Sequence, residues 1–204
     1  MERAVRGHQS NPRALLPVVD GKHLRPFGVD LANVGRGIAR DAAAMLLDGA
    51  ARFERDRVCY RDVASVSNRL TLIAARLPAG VVSTHTVFCA KTTFTAADTW
   101  CLVGLLNSLI ANYLVRLQMT THVTTALMAR LPVPRPAAGS PVHVSITSLA
   151  ESLSHRAFEE DAEGYARLNA LAAHAYEVTR DEYCLLYTSP SPRDISGSRM
   201  PSSA

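Results

Sequence analysis

Several features that would define a function class are missing from this 204-residue sequence. Lysine occurs only at Lys22 and Lys91, so arginine carries nearly all of the positive charge. The four cysteines form no Cys-x-x-Cys pair and no His/Cys spacing of the kind that holds zinc, which argues against a metal site. No Gly-x-Ser-x-Gly elbow accompanies the serines, and a Ser-His-Asp hydrolase is therefore discarded.

The sequence also has no long uninterrupted apolar run. The longest such stretch, residues 100–117, contains four polar side chains and predicts a buried helix rather than a membrane span. No N-terminal segment combines basic residues, an apolar run and a small-residue cleavage site, so we expect a cytoplasmic protein with reduced thiols and no membrane partner. The net charge of +4 permits a polyanionic partner without requiring one.

The last 21 residues, CLLYTSPSPRDISGSRMPSSA, are rich in serine and proline. CLLYTSPSPRD and SRMPSSA resemble codon-by-codon translations of the two sides of a transposon-end adapter used to prepare DNA sequencing libraries. Residues 184–204 are therefore expected to be non-native adapter read-through and are left out of the functional interpretation. The natural reading frame is then expected to be cut near Tyr183, which makes the chain a fragment.

Three runs rich in β-branched and aromatic residues predict strands of one sheet, at residues 57–64, 70–77 and 81–91. The two-residue period of a strand places Arg57, Cys59 and Arg61 on one face, which could line a groove. Upstream, frequent Pro and Gly in residues 11–31 predict short extended segments joined by turns, and residues 41–51 predict a short helix.

Residues 95–119 have apolar side chains at three- and four-residue spacing and predict one long helix. Within it, the core is expected to include Trp100, Tyr113 and Leu117, and structural hydrogen bonds at a buried helix interface are expected of Asn107, Ser108 and Asn112.

After a proline-rich linker, two further helices are predicted at 146–155 and 162–178. The expected fold class is α+β, with a small mixed β-sheet, a long packed helix and a C-terminal helical tail.

Four segments, taken in order, resemble a known family: GKHLRPF, RVCYRDVASVSNRLTLIAARLPAGVVSTHTVFC, LVGLLNSLIANYLVRLQMTTHVTTALMARLPVPRP and ALAAHAYEVTRDEY. Their order is similar to that of the C-terminal target-recognition regions of Eco57I-like and TaqI-like type II adenine-N6 DNA methyltransferases, which include bifunctional restriction enzymes. The likeness covers residues 17–183. It implies a sequence-specific DNA recognition module, whose methylation chemistry belongs to a separate N-terminal domain that binds S-adenosylmethionine.

The sequence agrees with that division of labour. It has no glycine-rich cofactor loop after a strand and no Asn/Asp-Pro-Pro-aromatic tetrapeptide, so we expect no catalytic residue and no cofactor within this chain. The resemblance implies a target-recognition domain over 1–136 and a truncated helical tail over 137–183, followed by the non-native 184–204. The expected partners are double-stranded DNA and the missing methyltransferase domain.

A recognition module needs donors and acceptors for base edges and cations for phosphates. The candidates with suitable chemistry are His23, Arg25, Arg61, Ser67, Asn68, Arg69, His85, Lys91 and His122. Each has a structural alternative: turn geometry for 67–69, satisfied structural histidines at 85 and 122, and solvated surface charge for the remainder. The rival function is a protein-interaction module that docks the methyltransferase or nuclease part of the same enzyme. An independent enzyme is disfavoured by the absent motifs.

Overall fold

The fold was taken from a computed structural model that describes residues 15–63, 70–91, 93–119, 121–156 and 160–188, with residues 187 and 188 described by their backbone alone. Ser67, Asn68 and Arg69 lie outside the described residues. The architecture is α+β, as the sequence predicts. The elements in chain order are β1 (Leu16–Val19), β2 (Leu24–Arg25), β3 (Gly28–Val29), β4 (Gly37–Ile38), α1 (Arg40–Leu46), β5 (Arg57–Arg61), β6 (Ala74–Leu77), β7 (Val82–Ser83), β8 (Val87–Cys89), α2 (Ala96–Leu106), α3 (Leu109–Arg116), α4 (Thr125–Arg130), α5 (Pro141–Ser154), α6 (Ala162–Ala175) and α7 (Arg180–Thr188).

The central sheet is antiparallel, with β5 between β6 and β8. A second, mixed sheet pairs β1 antiparallel with β4 and parallel with β7, and β2 and β3 form a separate hairpin. Each of the three predicted strands contributes to the central sheet. The run 81–91, however, divides between two sheets, because a turn held by the Thr84 and Thr86 side chains separates β7 from β8.

The prediction of one long helix over 95–119 is wrong in its continuity. Helices α2 and α3 are bent by 57° at Asn107 and Ser108. The Ser108 hydroxyl accepts the Ala111 N–H and so starts a new helix, and the Asn107 side chain donates to the Val103 carbonyl. The Ser108 bond is the N-cap of α3, whereas the Asn107 side-chain bond adds to the helical bond from the Asn107 N–H to the same carbonyl. The bend leaves Leu117, expected in the core, 64% exposed.

Helices α5 and α6 pack on α2 and share its core. Gly104 marks the closest approach, since a Cβ at this position would lie 2.7 Å from Ile146 Cγ2. The main core joins side chains on both sides of the predicted 136/137 boundary, from Phe27 and Leu72 to Leu153 and Leu168. Helix α7 runs across the predicted 183/184 boundary.

Within the described ranges, no single helix is long and apolar enough to cross a membrane, and only the bent pair α2 and α3 passes on combined length and composition.

Candidate nucleic-acid interface

The carboxyl end of β5 is a meeting point for several of the candidate residues. Arg61 is the last residue of this strand, and Asp62 follows it. The Asp62 N–H donates to the Thr86 carbonyl at 3.0 Å, and the Asp62 carbonyl accepts the Val123 N–H at 2.9 Å. Asp62 therefore fixes two separate segments, 84–86 and 122–123, against the end of the strand.

Arg61 is half-buried at this point. Its aliphatic part packs on Gly21, where an added Cβ would lie 2.9 Å from Arg61 Cγ, so a side chain at position 21 would displace the arginine. Burial lowers the pKa of Arg61 from its usual value. Its Nε is buried and has no acceptor in the described part of the chain. Arg61 is thus a partly desolvated cation with remaining hydrogen-bonding capacity.

His85 lies exposed in the turn between β7 and β8. The turn is fixed on both sides of it, because the Thr84 hydroxyl donates to Asp20 at 2.9 Å and the Thr86 hydroxyl accepts the Gly21 N–H at 3.0 Å. The threonines carry the turn's hydrogen bonds, which leaves the imidazole of His85 toward solvent.

His122 also lies at the carboxyl end of β5, although it follows α3 in the chain. It forms an isolated antiparallel bridge with Val63, and its Nδ1 lies 3.2 Å from Asp62 Oδ2. The side chain remains 53% exposed. One ring nitrogen is thus oriented by a carboxylate while much of the ring faces solvent.

The segment 64–69 joins β5 to β6 and has fixed residues on both sides. On its far side, the backbone N–H groups of Thr71 and Leu72 both donate to Asn112 Oδ1 at 2.8 Å. The Arg116 Nε donates to the Thr71 hydroxyl at 2.8 Å. The flanks of the predicted Ser67, Asn68 and Arg69 site are therefore rigid and close to cationic side chains.

Three other candidates do not join this group. His23 is only 7% exposed in its turn, and its Nδ1 accepts the Asp20 N–H at 2.9 Å, which gives it a structural role. Arg25 donates to the Ser154 carbonyl at 3.1 Å and ties β2 to the end of α5. Lys91 follows β8 and lies at the opposite end of β5, because Cys59 pairs with Cys89.

Lys91 instead belongs to a second cationic region, of which the sequence predicted the groove-lining face with Arg57 but not the contribution of Arg52 and Arg55. Arg52, Arg55, Arg57 and Lys91 line a cleft of about 440 Å³ at the amino end of β5. The signal for Arg52 and Arg55 was the spacing of the three arginines in ARFERDRV. The interleaved Glu54 and Asp56 hide this signal in any charge count. Arg57 and Arg61, on one strand face as predicted, stand about 13 Å apart at 3.3 Å per residue.

Among the described residues, no group of three His, Cys, Asp or Glu side chains could hold a metal ion. Cys59, Cys89 and Cys101 form no disulfide with any described residue. In comparisons with known proteins, no family model matches this chain and no curated protein aligns with it significantly.

Proposed function

We propose that this chain is the sequence-specific DNA recognition module of an adenine-specific DNA methyltransferase or restriction-modification enzyme. A separate domain of the same polypeptide binds S-adenosylmethionine and transfers the methyl group. The parent enzyme acts in the cytoplasm, and duplex DNA is its macromolecular ligand. This chain recognises the DNA sequence, and the other domain catalyses methyl transfer.

The observation that carries the proposal is the convergence at the carboxyl end of β5. Arg61, His85 and His122 lie around the two fixed ends of the segment that contains Ser67, Asn68 and Arg69. An asparagine amide pairs with the edge of adenine, and a guanidinium pairs with guanine or with a phosphate. Residues with base-reading chemistry, between hydrogen-bonded flanks and with Arg61 and Arg116 near those flanks, are what base contacts positioned by backbone contacts require.

The test is selection of duplexes from a randomised DNA library by the full 204-residue chain, followed by measurement of affinity against salt. We expect a preferred sequence and binding that weakens linearly with the logarithm of salt concentration. The double variant Asn68→Ala, Arg69→Ala should relax the preference at one or two base positions. The matched variant Asn33→Ala, Arg167→Ala should leave the preference unchanged, because both residues are exposed and lie elsewhere.

The outcomes separate the possible roles of the segment. Uniform weakening at every sequence would reject base reading by residues 67–69 and leave phosphate contact. Absence of salt-sensitive duplex binding by the unaltered chain would reject DNA recognition altogether.

The alternative is a protein-interaction module that docks the catalytic part of the same enzyme. One feature favours it: a cavity of about 600 Å³ lined largely by apolar side chains, including Phe94, Leu102, Met128 and Val133. Phe94 is 41% exposed. Stable binding of the chain to the methyltransferase domain, without duplex affinity, would support this function.

A further inference from the structure

The cleft at the amino end of β5 is a concentration of positive charge. Its lining contains the guanidinium groups of Arg52, Arg55 and Arg57 and the ammonium group of Lys91. None of its described lining residues is an aspartate or a glutamate. Four cations around one volume of about 440 Å³, without a carboxylate in the lining, produce a strongly positive local potential.

The acidic residues next to these arginines in the sequence pair elsewhere. Glu54 forms an ion pair with Arg40. Asp56 forms an ion pair with Arg76 and accepts the Ala79 N–H at 2.9 Å. The fold therefore separates the alternating charges of residues 52–57 and leaves the cleft with the cations.

Arg57 is the most buried of the four. It is only 7% exposed, and its guanidinium donates to the Val81 carbonyl. Its Nε is buried and has no acceptor among the described residues. Burial lowers the pKa of Arg57, which reflects the cost of holding a cation away from water.

Arg55 repeats this pattern at the side of the cleft. Its Nη2 donates to the Lys91 carbonyl at 2.7 Å, which holds the segment after β8 in place. Its Nε is also buried without an acceptor in the described ranges. A buried donor without an acceptor has lost its hydrogen bonds to water without replacement, which destabilises the fold. Two such donors beside a cleft lined by cations leave hydrogen-bonding capacity that no described residue fills.

We propose that this cleft binds a phosphate group, with Arg57 at its floor and Arg52, Arg55 and Lys91 around its opening. Guanidinium forks match the geometry of phosphate oxygens and pair with them bidentately. Two sources supply such a group, the backbone of duplex DNA and a free phosphate. Assignment to DNA rests on the proposed function, whereas assignment of the cleft as a phosphate site does not.

The first arm of the test uses inorganic phosphate. Thermal unfolding of the full chain is followed with phosphate or chloride at equal ionic strength. Phosphate should raise the Tm, because a ligand that binds only the native state stabilises it. The variant Arg52→Gln, Arg55→Gln should lose this shift. The control Arg130→Gln, Arg167→Gln removes the same charge from exposed positions on α4 and α6 and should keep it.

The second arm uses duplex DNA and the same variants. If the cleft holds a backbone phosphate, the cleft variant should bind all sequences more weakly, and the slope of log K against log salt should fall by about 0.9 for each DNA phosphate that the variant no longer neutralises. An unchanged slope, together with loss of the phosphate-dependent Tm shift, assigns the cleft to free phosphate and supports the proposal.

The two proposals can fail separately. A chain that binds no duplex but shows a cleft-dependent phosphate shift retains the phosphate site and loses the proposed function. A phosphate shift of equal size in the unaltered chain and the cleft variant, with equal salt slopes, overturns the phosphate site.

Discussion

Two polar clusters in this molecule differ in whether their hydrogen bonds are complete. The first contains Asn107, Ser108 and Asn112 at the bend between α2 and α3. The second contains Arg55 and Arg57 at the amino end of β5. The asparagine carboxamides of the first have protein partners for both oxygen and nitrogen, whereas the second retains buried Nε donors without acceptors in the described chain. Buried polar groups normally have hydrogen-bond partners. We therefore infer that the first cluster stabilises the fold and that the second is a ligand-binding site.

The asparagine cluster acts as a substitute for a neighbouring strand. Asn107 Oδ1 accepts the Ala74 N–H at 3.1 Å, and its Nδ2 donates to the Ala74 carbonyl at 2.8 Å. One side chain thus reproduces the two-way hydrogen bonding of a sheet at the start of β6. Tyr165 extends the network to α6 by donating to the Asn107 carbonyl at 3.0 Å.

Among substitutions in these two clusters, the largest loss of stability is expected from Asn112→Ala. The substitution removes the acceptor of two buried N–H groups, those of Thr71 and Leu72, and should lower the free energy of unfolding by about 2–4 kcal/mol. Urea denaturation followed by circular dichroism measures this loss.

Asn33→Ala is the matched control for that substitution. Asn33 is exposed and among the described residues its side chain bonds to nearby Asp30, so its change should stay within about 0.5 kcal/mol. Equal effects for the two variants would show that the buried amide contributes no more to stability than an exposed one, and the structural role of the cluster would be rejected.

A smaller loss is expected from Ser108→Ala. The Ser108 hydroxyl caps α3 by accepting the Ala111 N–H at 3.2 Å, and cap removal costs about 1 kcal/mol. Ser148→Ala, at an exposed position of α5, provides the control. If Ser108→Ala left the urea midpoint where Ser148→Ala leaves it, the cap would not account for the start of the second helix.

The sequence predicted the structural role of the first cluster because the information is local. Polar residues in an apolar helical pattern have to find partners, whatever the partners are. The same pattern did not predict the 57° bend, because apolar spacing does not show that Ser108 caps a new helix or that Asn107 also bonds to Ala74, a residue 33 positions away. Helical periodicity alone continues through residues whose side chains cap a new helix.

The second cluster was predicted only in part: the sequence placed Arg57 on a face that could line a groove, but it did not join Arg57 to Arg55 and Lys91. Its cations come from two separate segments, residues 52–57 and Lys91, which meet only when β8 pairs with β5. Along the chain, Glu54 and Asp56 balance the arginines in any local count of charge. Only the pairing of these acids with Arg40 and Arg76 in the fold reveals the unbalanced cleft. Conversely, His23 carried suitable chemistry in the sequence, and the fold buries it.

A third prediction concerns Arg57→Met, which should change stability by less than about 1 kcal/mol. The substitution loses the hydrogen bond to the Val81 carbonyl. It also removes the desolvation cost of the buried guanidinium, because methionine fills similar space without a charge, and the two changes offset each other. Urea denaturation checks this value, and the phosphate-dependent Tm shift should disappear in the same variant. A loss as large as that of Asn112→Ala would place Arg57 among the groups that maintain the fold.

The smallest change in stability is expected for the pair Asp98 and His143, which joins α2 to α5 and belongs to neither cluster. A hydrogen bond from Thr95, followed by one from His143, lowers the pKa of Asp98 below its ordinary value of 3.8. The carboxylate is 40% exposed, so solvent screening limits its contribution to less than about 1 kcal/mol.

Because the folded pKa of Asp98 is depressed, this contribution is complete well above pH 3.8 and is lost as the pH falls through the folded value. The urea midpoint of the unaltered chain should therefore decline more steeply below pH 3.8 than that of Asp98→Asn. If the urea midpoints of the two proteins fell equally with pH in this range, the contact between Asp98 and His143 would add no charge-dependent stability.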